Sequence, residues 1–356
     1  MDSVNTEVMW IKFERVKMEI VRNLKVPTGN ILIVEGDKGK LECLSIGDYG
    51  KDLNIKADFL GITKEIKGVP NSDIMPLEKK WVITISTQYG CSMKCKFCDV
   101  PKVGPGKNAT ISDLIGQVNT AISLHPEVKR TDRLNIHYAR MGEPTFNGNV
   151  LVHAYSIKNV ESCNPITGSL IHPVVSTMLP RRNKDLFLFL NIWTDVIKNS
   201  VYEGDAGLQF SINSTNDNQR KEMFSGNSLS LEEISSIGKL LPNPIGRKYA
   251  LNIALADSYE VNAKEMKRLF SPEKFMVKIT PLHVTNASSD NDIITSGGYT
   301  DYTPYESVEK ELIAEGFDVL VFVPSIDEDE SRITCGNAIL SGTKPLCKYR
   351  SDVDKI

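Results

Sequence analysis

From residue 81 onward the chain alternates strand-like and helix-like stretches, and this rhythm limits the possible folds more than any other feature. The strand-like runs are Trp81–Thr87, Leu134–Arg140, Ile171–Thr177, Gly207–Asn213, Tyr249–Ala256, Phe275–Pro281 and Asp318–Val323. Helix-like stretches lie between them at Ile111–Leu124, Asn149–Val160, Asn183–Lys198, Ser230–Leu240, Ala263–Leu269 and Pro304–Glu315. Strands separated by helices predict βαβ units and a parallel sheet. Repeated with right-handed crossovers, such a sheet is expected to curl into an α/β fold, a partial (β/α)6-type TIM barrel. Active residues of such a fold belong at the carboxyl ends of the strands.

Residues 1–75 have a different texture. Short β-rich runs, Asn30–Glu35 and Leu41–Ile46, are punctuated by Gly-containing turn signals. They predict a small N-terminal β-containing attachment, with a linker near Val69–Asp73. Three regions are expected: an accessory region at 1–75, the barrel at 76–325, and a C-terminal loop and tail at 326–356 that carries Cys335. The Ser-, Asn-, Asp- and Gly-rich stretch Asn286–Gly298 reads as a flexible loop.

Net charge is −3, with 41% hydrophobic and 24% charged residues. That balance fits a soluble globular protein and weighs against a dedicated nucleic-acid binder, which shows a basic excess. The patches Lys129–Arg133 and Arg181–Lys184 read as solvated faces. No apolar run approaches the about 20 residues that span a bilayer, and the first residues do not form a signal peptide. A cytoplasmic protein without a membrane partner is expected.

Seven cysteines are present, at 43, 91, 95, 98, 163, 335 and 347. An odd count with three thiols packed into eight residues suits a metal site in a reducing compartment better than a disulfide framework. Cys91, Cys95 and Cys98 follow directly on the first barrel strand. Spaced by three and then two residues, they can hold three corners of a cubane and leave the fourth iron open, the mark of a catalytic metal site. Zinc would need a fourth ligand, and the flanks supply no second close-spaced Cys or His pair. With Phe97 before the last cysteine, the loop matches C-x-x-x-C-x-aromatic-C, and so resembles the radical S-adenosylmethionine superfamily.

That resemblance implies a [4Fe–4S] cluster on Cys91, Cys95 and Cys98, with S-adenosylmethionine (SAM) bound to the open iron and cleaved to a 5′-deoxyadenosyl radical. It also implies an external one-electron donor such as flavodoxin or ferredoxin. Met141, Gly142, Glu143 and Pro144 follow the second strand, where the superfamily places a segment that meets the amino group of the cofactor; a carboxylate suits an ammonium. Ser176 with Thr177 and Ser211 with Asn213 end the third and fourth strands, and suit ribose hydroxyls and the cofactor carboxylate. Ser and Thr also end strands for turn reasons. His283 ends the sixth strand, where it is either structural or touches cofactor or substrate. His125, His137, His153 and His172 read as structural.

The order of motifs is similar to that of the RlmN/Cfr-type adenine carbon-2/carbon-8 RNA methyltransferases over about residues 75–340. Ser86-Thr-Gln-Tyr-Gly-Cys-Ser-Met-Lys-Cys-Lys-Phe-Cys98 matches the family's Ser-x-x-x-Gly-Cys-x-x-x-Cys-x-Phe-Cys. Thr110–Val118, Met141–Pro144, Ser176-Thr177, Ser211–Asp217, Thr280–His283 and Cys335–Ala338 echo further family segments in the same order. The resemblance gives Cys335 the role of a thiolate that accepts a methyl group from one SAM. It then carries that carbon to an sp2 carbon such as that of an RNA adenine, or of a small molecule, nucleotide or peptide in a divergent member. Two departures stand out. Thr84 occupies the place of the family's second, adduct-resolving cysteine, so Cys43, Cys163 and Cys347 become candidates for that thiol. Residues 26–66 read as short strands where the family carries a helical nucleic-acid-binding domain.

Overall fold

The computed structural model describes residues 17–47, 74–159, 166, 168–296, 303–324 and 326–346. In chain order the strands are β1 (Ile20–Val26), β2 (Gly29–Gly36), β3 (Gly39–Ile46), β4 (Trp81–Ile85), β5 (Gln88–Gly90), β6 (Pro105–Asn108), β7 (Leu134–Tyr138), β8 (Ile171–Thr177), β9 (Gly207–Ser211), β10 (Tyr249–Leu255), β11 (Phe275–Pro281) and β12 (Val319–Val321). All but the β5–β6 hairpin join one sheet, ordered β1-β2-β3-β4-β7-β8-β9-β10-β11-β12. Pairing is parallel from β4 to β12 and antiparallel from β1 to β4. Among the described residues β1 and β12 remain edges, so the sheet is open rather than a closed barrel.

The helices are α1 (Ile111–Ser123), α2 (Asn149–Asn159), α3 (Leu186–Asn191), α4 (Asp217–Met223), α5 (Leu231–Leu240), α6 (Ala263–Leu269), α7 (Asn286–Asp290), α8 (Thr303–Ala314) and α9 (Ile326–Glu330). Local chemistry sets their starts. Thr110 with Asp113, and Ser230 with Glu233, form reciprocal capping boxes at α1 and α5. The expected helix over 183–198 is instead α3 followed by π-helical turns at Ile192–Val201. That segment seats the buried Trp193, whose indole N–H donates to the Gly207 carbonyl at 3.1 Å.

Alternation along each strand separates two faces. Trp81, Ile83 and Ile85, Leu134, Ile136 and Tyr138, and Leu251 and Ile253 join helix residues such as Leu114, Val118, Ala154 and Met266 in the main core. Register places Thr84, His137, Ser176, Gln209, Asn252 and Lys278 on the opposite face. This face is polar and only half-buried at most of these positions.

Two sequence expectations change here. The N-terminal strands extend the parallel sheet, through Leu44↔Thr84, Ser45↔Ile83 and Ile46↔Val82. The strand β1, with its Arg22, Asn23 and Lys25, was not anticipated. The stretch Asn286–Gly298, expected as a flexible loop, begins with α7, whose first turn is tied to the cysteine loop; residues 297–298 lie outside the described residues.

Candidate active site around the cysteine loop

Cys91, Cys95 and Cys98 lie just beyond β5 and are free thiols. Side chains from distant segments hold the carbonyls of their loop. Asn227 Nδ2 donates to the Met93 carbonyl at 2.9 Å, Ser225 Oγ to that of Lys94 at 2.7 Å, and Asn291 Nδ2 to that of Lys96 at 3.0 Å. Thr285 Oγ1 donates to the Phe97 carbonyl at 2.9 Å. The Phe97 ring meets Phe224 edge-on, with centroids 6.0 Å apart. Gly106, at φ +89°, backs the loop so closely that a Cβ would sit 2.8 Å from the Ser92 nitrogen.

Burial is the main force raising all three thiols above their ordinary range, Cys91 to about 12. Neighbouring sulfurs raise Cys95 and Cys98 further, and Glu143 adds to the effect at Cys91 and Cys95. Three crowded thiolates without a counter-charge are therefore unfavourable, and a cationic iron–sulfur core is the group that such a donor set fits. Among the described residues no three His, Cys, Asp or Glu groups close around a single ion.

Arg140 through Phe146 form the second part of the site. Met141 is buried, and its carbonyl accepts the N–H groups of Thr87 and Gln88. Gly142 has φ +97°, and a Cβ there would lie 2.6 Å from Gln88 Cβ. Pro144 opens the short 3-10 turn Pro144–Phe146. Buried Glu143 accepts from Thr145 N at 3.1 Å, Thr145 Oγ1 at 2.8 Å and Met178 N at 2.9 Å. Burial raises its carboxyl, and those hydrogen bonds oppose the rise. Gln88 braces the loop by accepting the Glu143 N–H at 2.9 Å and donating to Asn108 Oδ1 at 2.7 Å. A cavity of about 590 Å³ lies beside it, lined by Lys38, Gln88, Ser92, Gly106, Lys107, Asn108 and Phe146.

On the polar face Ser176 Oγ and Asn252 Nδ2 both donate to Gln209 Oε1, at 3.2 and 2.7 Å. Asn252 Oδ1 is buried without a hydrogen-bond partner. Lys278 faces Asn252 in register. Burial lowers its ammonium to about 8, Arg247 lowers it further, and Cys335 opposes. Ser211 ends β9, where its carbonyl accepts from Arg220. Asn213 is engaged in the fold: it sits at φ +61°, accepts the Ala254 N–H at 3.0 Å and donates to Met223 Sδ at 3.4 Å. His283 Nδ1 pairs with Asp329 Oδ1 at 3.3 Å, which links the end of β11 to the C-terminal segment.

The C-terminal loop brings Cys335 to the cysteine loop. The Asp99 N–H donates to the Gly336 carbonyl at 2.8 Å. Gly336, at φ +88°, leaves only 3.1 Å between an added Cβ and the Phe97 carbonyl. The Asp99 carboxylate accepts from Asn286 N, Ala287 N and Thr343 Oγ1, at 3.2, 2.9 and 3.1 Å. Cys335 is exposed. Partial enclosure raises its thiol, while Arg140, Lys278 and the Gly336 N–H pull it back down.

No protein-family model matches the chain. It is 29% identical over 158 residues to the dual-specificity RNA methyltransferase RlmN of Buchnera aphidicola subsp. Schizaphis graminum, covering 41% of this chain and 44% of that protein. It is 33% identical over 115 residues to a probable dual-specificity RNA methyltransferase RlmN 1 of Protochlamydia amoebophila, covering 32% of this chain and 28% of that protein. By sequence, the chain is a divergent relative of the RlmN-type proteins. It spans less than half the length of the two it matches. The crystal structure of a radical SAM methyltransferase from Sphaerobacter thermophilus superposes with a TM-score of 0.61 at 18% identity, over 90% of this chain and 81% of that one, which shows a shared fold.

Against the RlmN-type pattern, the structure narrows the search for a second thiol. Cys43 lies on β3 with its Sγ toward the Gln117 carbonyl of α1, buried in the main core on the side away from Thr84. It cannot reach Cys335 from there. Cys163 and Cys347 lie outside the described residues. Gln88, Asp99, Lys278 and the Glu42–Arg140 pair were not singled out as site residues from sequence. No local signal in the sequence marks the last, because the two charges meet only in the fold.

Proposed function

We propose that this chain is a radical SAM enzyme in which Cys335 accepts a methyl group and delivers its carbon to an unsaturated carbon of the substrate. The hydrogen bond from Asp99 N–H to the Gly336 carbonyl carries this reading, because it sets the C-terminal thiol against the loop of three cysteines. In this reading the open sheet is a partial barrel, its polar face is the lumen, and residues 326–346 are the carrier loop. Cys91, Cys95 and Cys98 would hold a [4Fe–4S] cluster. When bound, that cluster supplies the electron that cleaves SAM, and an external donor restores it.

The chain's own residues divide the remaining work. Gln88, Gly142 and Glu143 shape the wall that would receive the amino group of SAM. Cys335, as thiolate, displaces S-adenosylhomocysteine from the methyl carbon, so the S–CH3 bond forms as the sulfonium bond breaks. Arg140 and Lys278 favour that thiolate. Ser176, Ser211 and His283 would line the path of cofactor and substrate from the strand ends.

Two substrate classes fit. The RlmN-type resemblance points to an RNA adenine. Lys278 favours a small anionic substrate: its ammonium lies over the Phe322 ring on the polar face and has no carboxylate partner among the described residues. Anaerobic reconstitution followed by incubation with methyl-deuterated SAM, total RNA and a metabolite extract separates them. Label in RNA supports the first class, label in an anionic metabolite the second. Failure to form 5′-deoxyadenosine in any arm overturns the radical reading itself.

A further inference from the structure

The N-terminal hairpin has no partner in the chemistry described so far, yet it carries one of the two side chains of a buried ion pair. Glu42 on β3 is wholly buried, and Arg140, at the end of β7, is nearly so. Arg140 Nε donates to Glu42 Oε1 at 2.7 Å, and Nη2 contacts the same oxygen. The pair is not closed on itself. Arg140 Nη2 also donates to the Arg332 carbonyl at 3.0 Å, and Glu42 Oε2 accepts the Leu340 N–H at 3.1 Å. Residues 332 and 340 bracket Cys335. One ion pair thus grips both ends of the segment that carries the exposed thiol.

The apolar surface around the pair points the same way. Leu24, Val26, Ile31, Ile33 and Leu44 lie on one face of the hairpin and form a cluster with Ile333 and Ile339, partly buried Leu340 packing against it. This explains why β2 is apolar on both faces: α1 covers one, and the C-terminal loop covers the other. Buried ion pairs gain little net stability over apolar replacements, so stability alone does not account for this one. Its four hydrogen-bonding directions instead fix a register between the hairpin, the Arg140–Glu143 segment and the Cys335 loop.

We infer that Glu42, through Arg140 and Leu340, is a positioning residue that docks the Cys335 loop against the site, and that the hairpin at residues 20–46 serves as the platform for that loop. The inference rests on the reading of Cys335 as the methyl carrier.

The test is Glu42→Gln in the full chain with its cluster reconstituted. Glutamine keeps one acceptor and turns the other into a donor, which must then face either the guanidinium or the Leu340 N–H, both donors themselves. Transfer of a deuterated methyl group from SAM to Cys335 is expected to fall by about 100-fold, the scale of a misplacement of about 1 Å at a reacting group. Formation of 5′-deoxyadenosine at saturating SAM is expected to stay within roughly threefold, since Met141 and Glu143 keep their own hydrogen bonds to Thr87, Gln88, Thr145 and Met178 when the ion pair is lost. Should Glu42→Gln fail to fold, Ile33→Ala loosens the same dock without unpairing a charge and is expected to show the same split. Methyl transfer and cleavage falling in parallel, or both staying unchanged, would overturn the inference. If wild-type Cys335 proves not to accept methyl at all, the carrier reading fails by itself. Amide exchange then decides the dock: faster exchange across 332–343 in Glu42→Gln supports it, and unchanged exchange refutes it.

Discussion

The Asp99 backbone N–H donates to the Gly336 carbonyl at 2.8 Å, across 237 positions of sequence. Asp99 follows the last cysteine of the loop and Gly336 follows the exposed Cys335, so this contact joins two separate cysteine motifs into one site. Its consequences can be measured at several points.

The proposed function gives the cysteine loop and Cys335 separable roles. Cys95→Ala is expected to abolish iron and sulfide retention, the brown absorbance and SAM cleavage together. Cys335→Ala is expected to keep all three and lose methyl acceptance. Absorbance spectra and iron analysis check the first variant, and chromatography of 5′-deoxyadenosine checks the second.

Asp99 is a structural linchpin for both loops. Its carboxylate accepts two α7 amides and Thr343 Oγ1 while itself buried. Asp99→Ala leaves at least two buried donors without an acceptor, at roughly 1–3 kcal/mol each. A stability loss of about 3 kcal/mol is expected in urea titration, with faster amide exchange at 285–291 and 334–343.

Acid stability should carry the mark of His153. This fully buried ring meets the Tyr138 hydroxyl at 2.7 Å, and burial lowers its pKa from 6.5 to about 3. The unfolded chain therefore binds a proton below pH 6.5 that the folded chain refuses until about pH 3. Stability is full above pH 6.5 and is lost as pH falls from there toward 3, at about 1.4 kcal/mol per pH unit for this group. His153→Gln is expected to flatten the slope between pH 6 and 4 by that amount in pH-dependent denaturation.

Much of the fold was legible beforehand because its signal is local. Period-two and helical patterns located every parallel strand of the large sheet, and β8 and β11 match the expected limits. The loop of Cys91, Cys95 and Cys98 and the glycine-bearing Met141–Pro144 turn stood out on equally local grounds, since each follows a strand-like run, and their roles belong to the proposal. What escaped depended on long-range partners. The run Asn30–Glu35 reads as a short strand, and nothing local says that Ile333 and Ile339 cover one of its faces. Asn286–Asp290 reads as loop from composition and becomes α7 because Thr285 caps it and Asp99 accepts its first amides. Glu42 and Arg140 look like ordinary surface charges until the fold buries them together.

Lys278 is proposed both to favour the Cys335 thiolate and to meet an anionic substrate, so its substrate role is read on protein whose Cys335 is already methylated. Lys278→Met is expected to lower turnover of an anionic substrate by roughly 30-fold or more, the effect of losing about 2 kcal/mol from an enclosed charge contact. Abortive 5′-deoxyadenosine formation should persist. Equal turnover in variant and wild type would leave the RNA reading favoured.

The most direct test is mass spectrometry of Cys335 after the anaerobically reconstituted protein is incubated with methyl-deuterated SAM. A trideuteromethyl group is expected on the Cys335 peptide and none on the Cys43 peptide. An unlabelled Cys335 in a sample that forms 5′-deoxyadenosine would contradict the carrier role of Cys335.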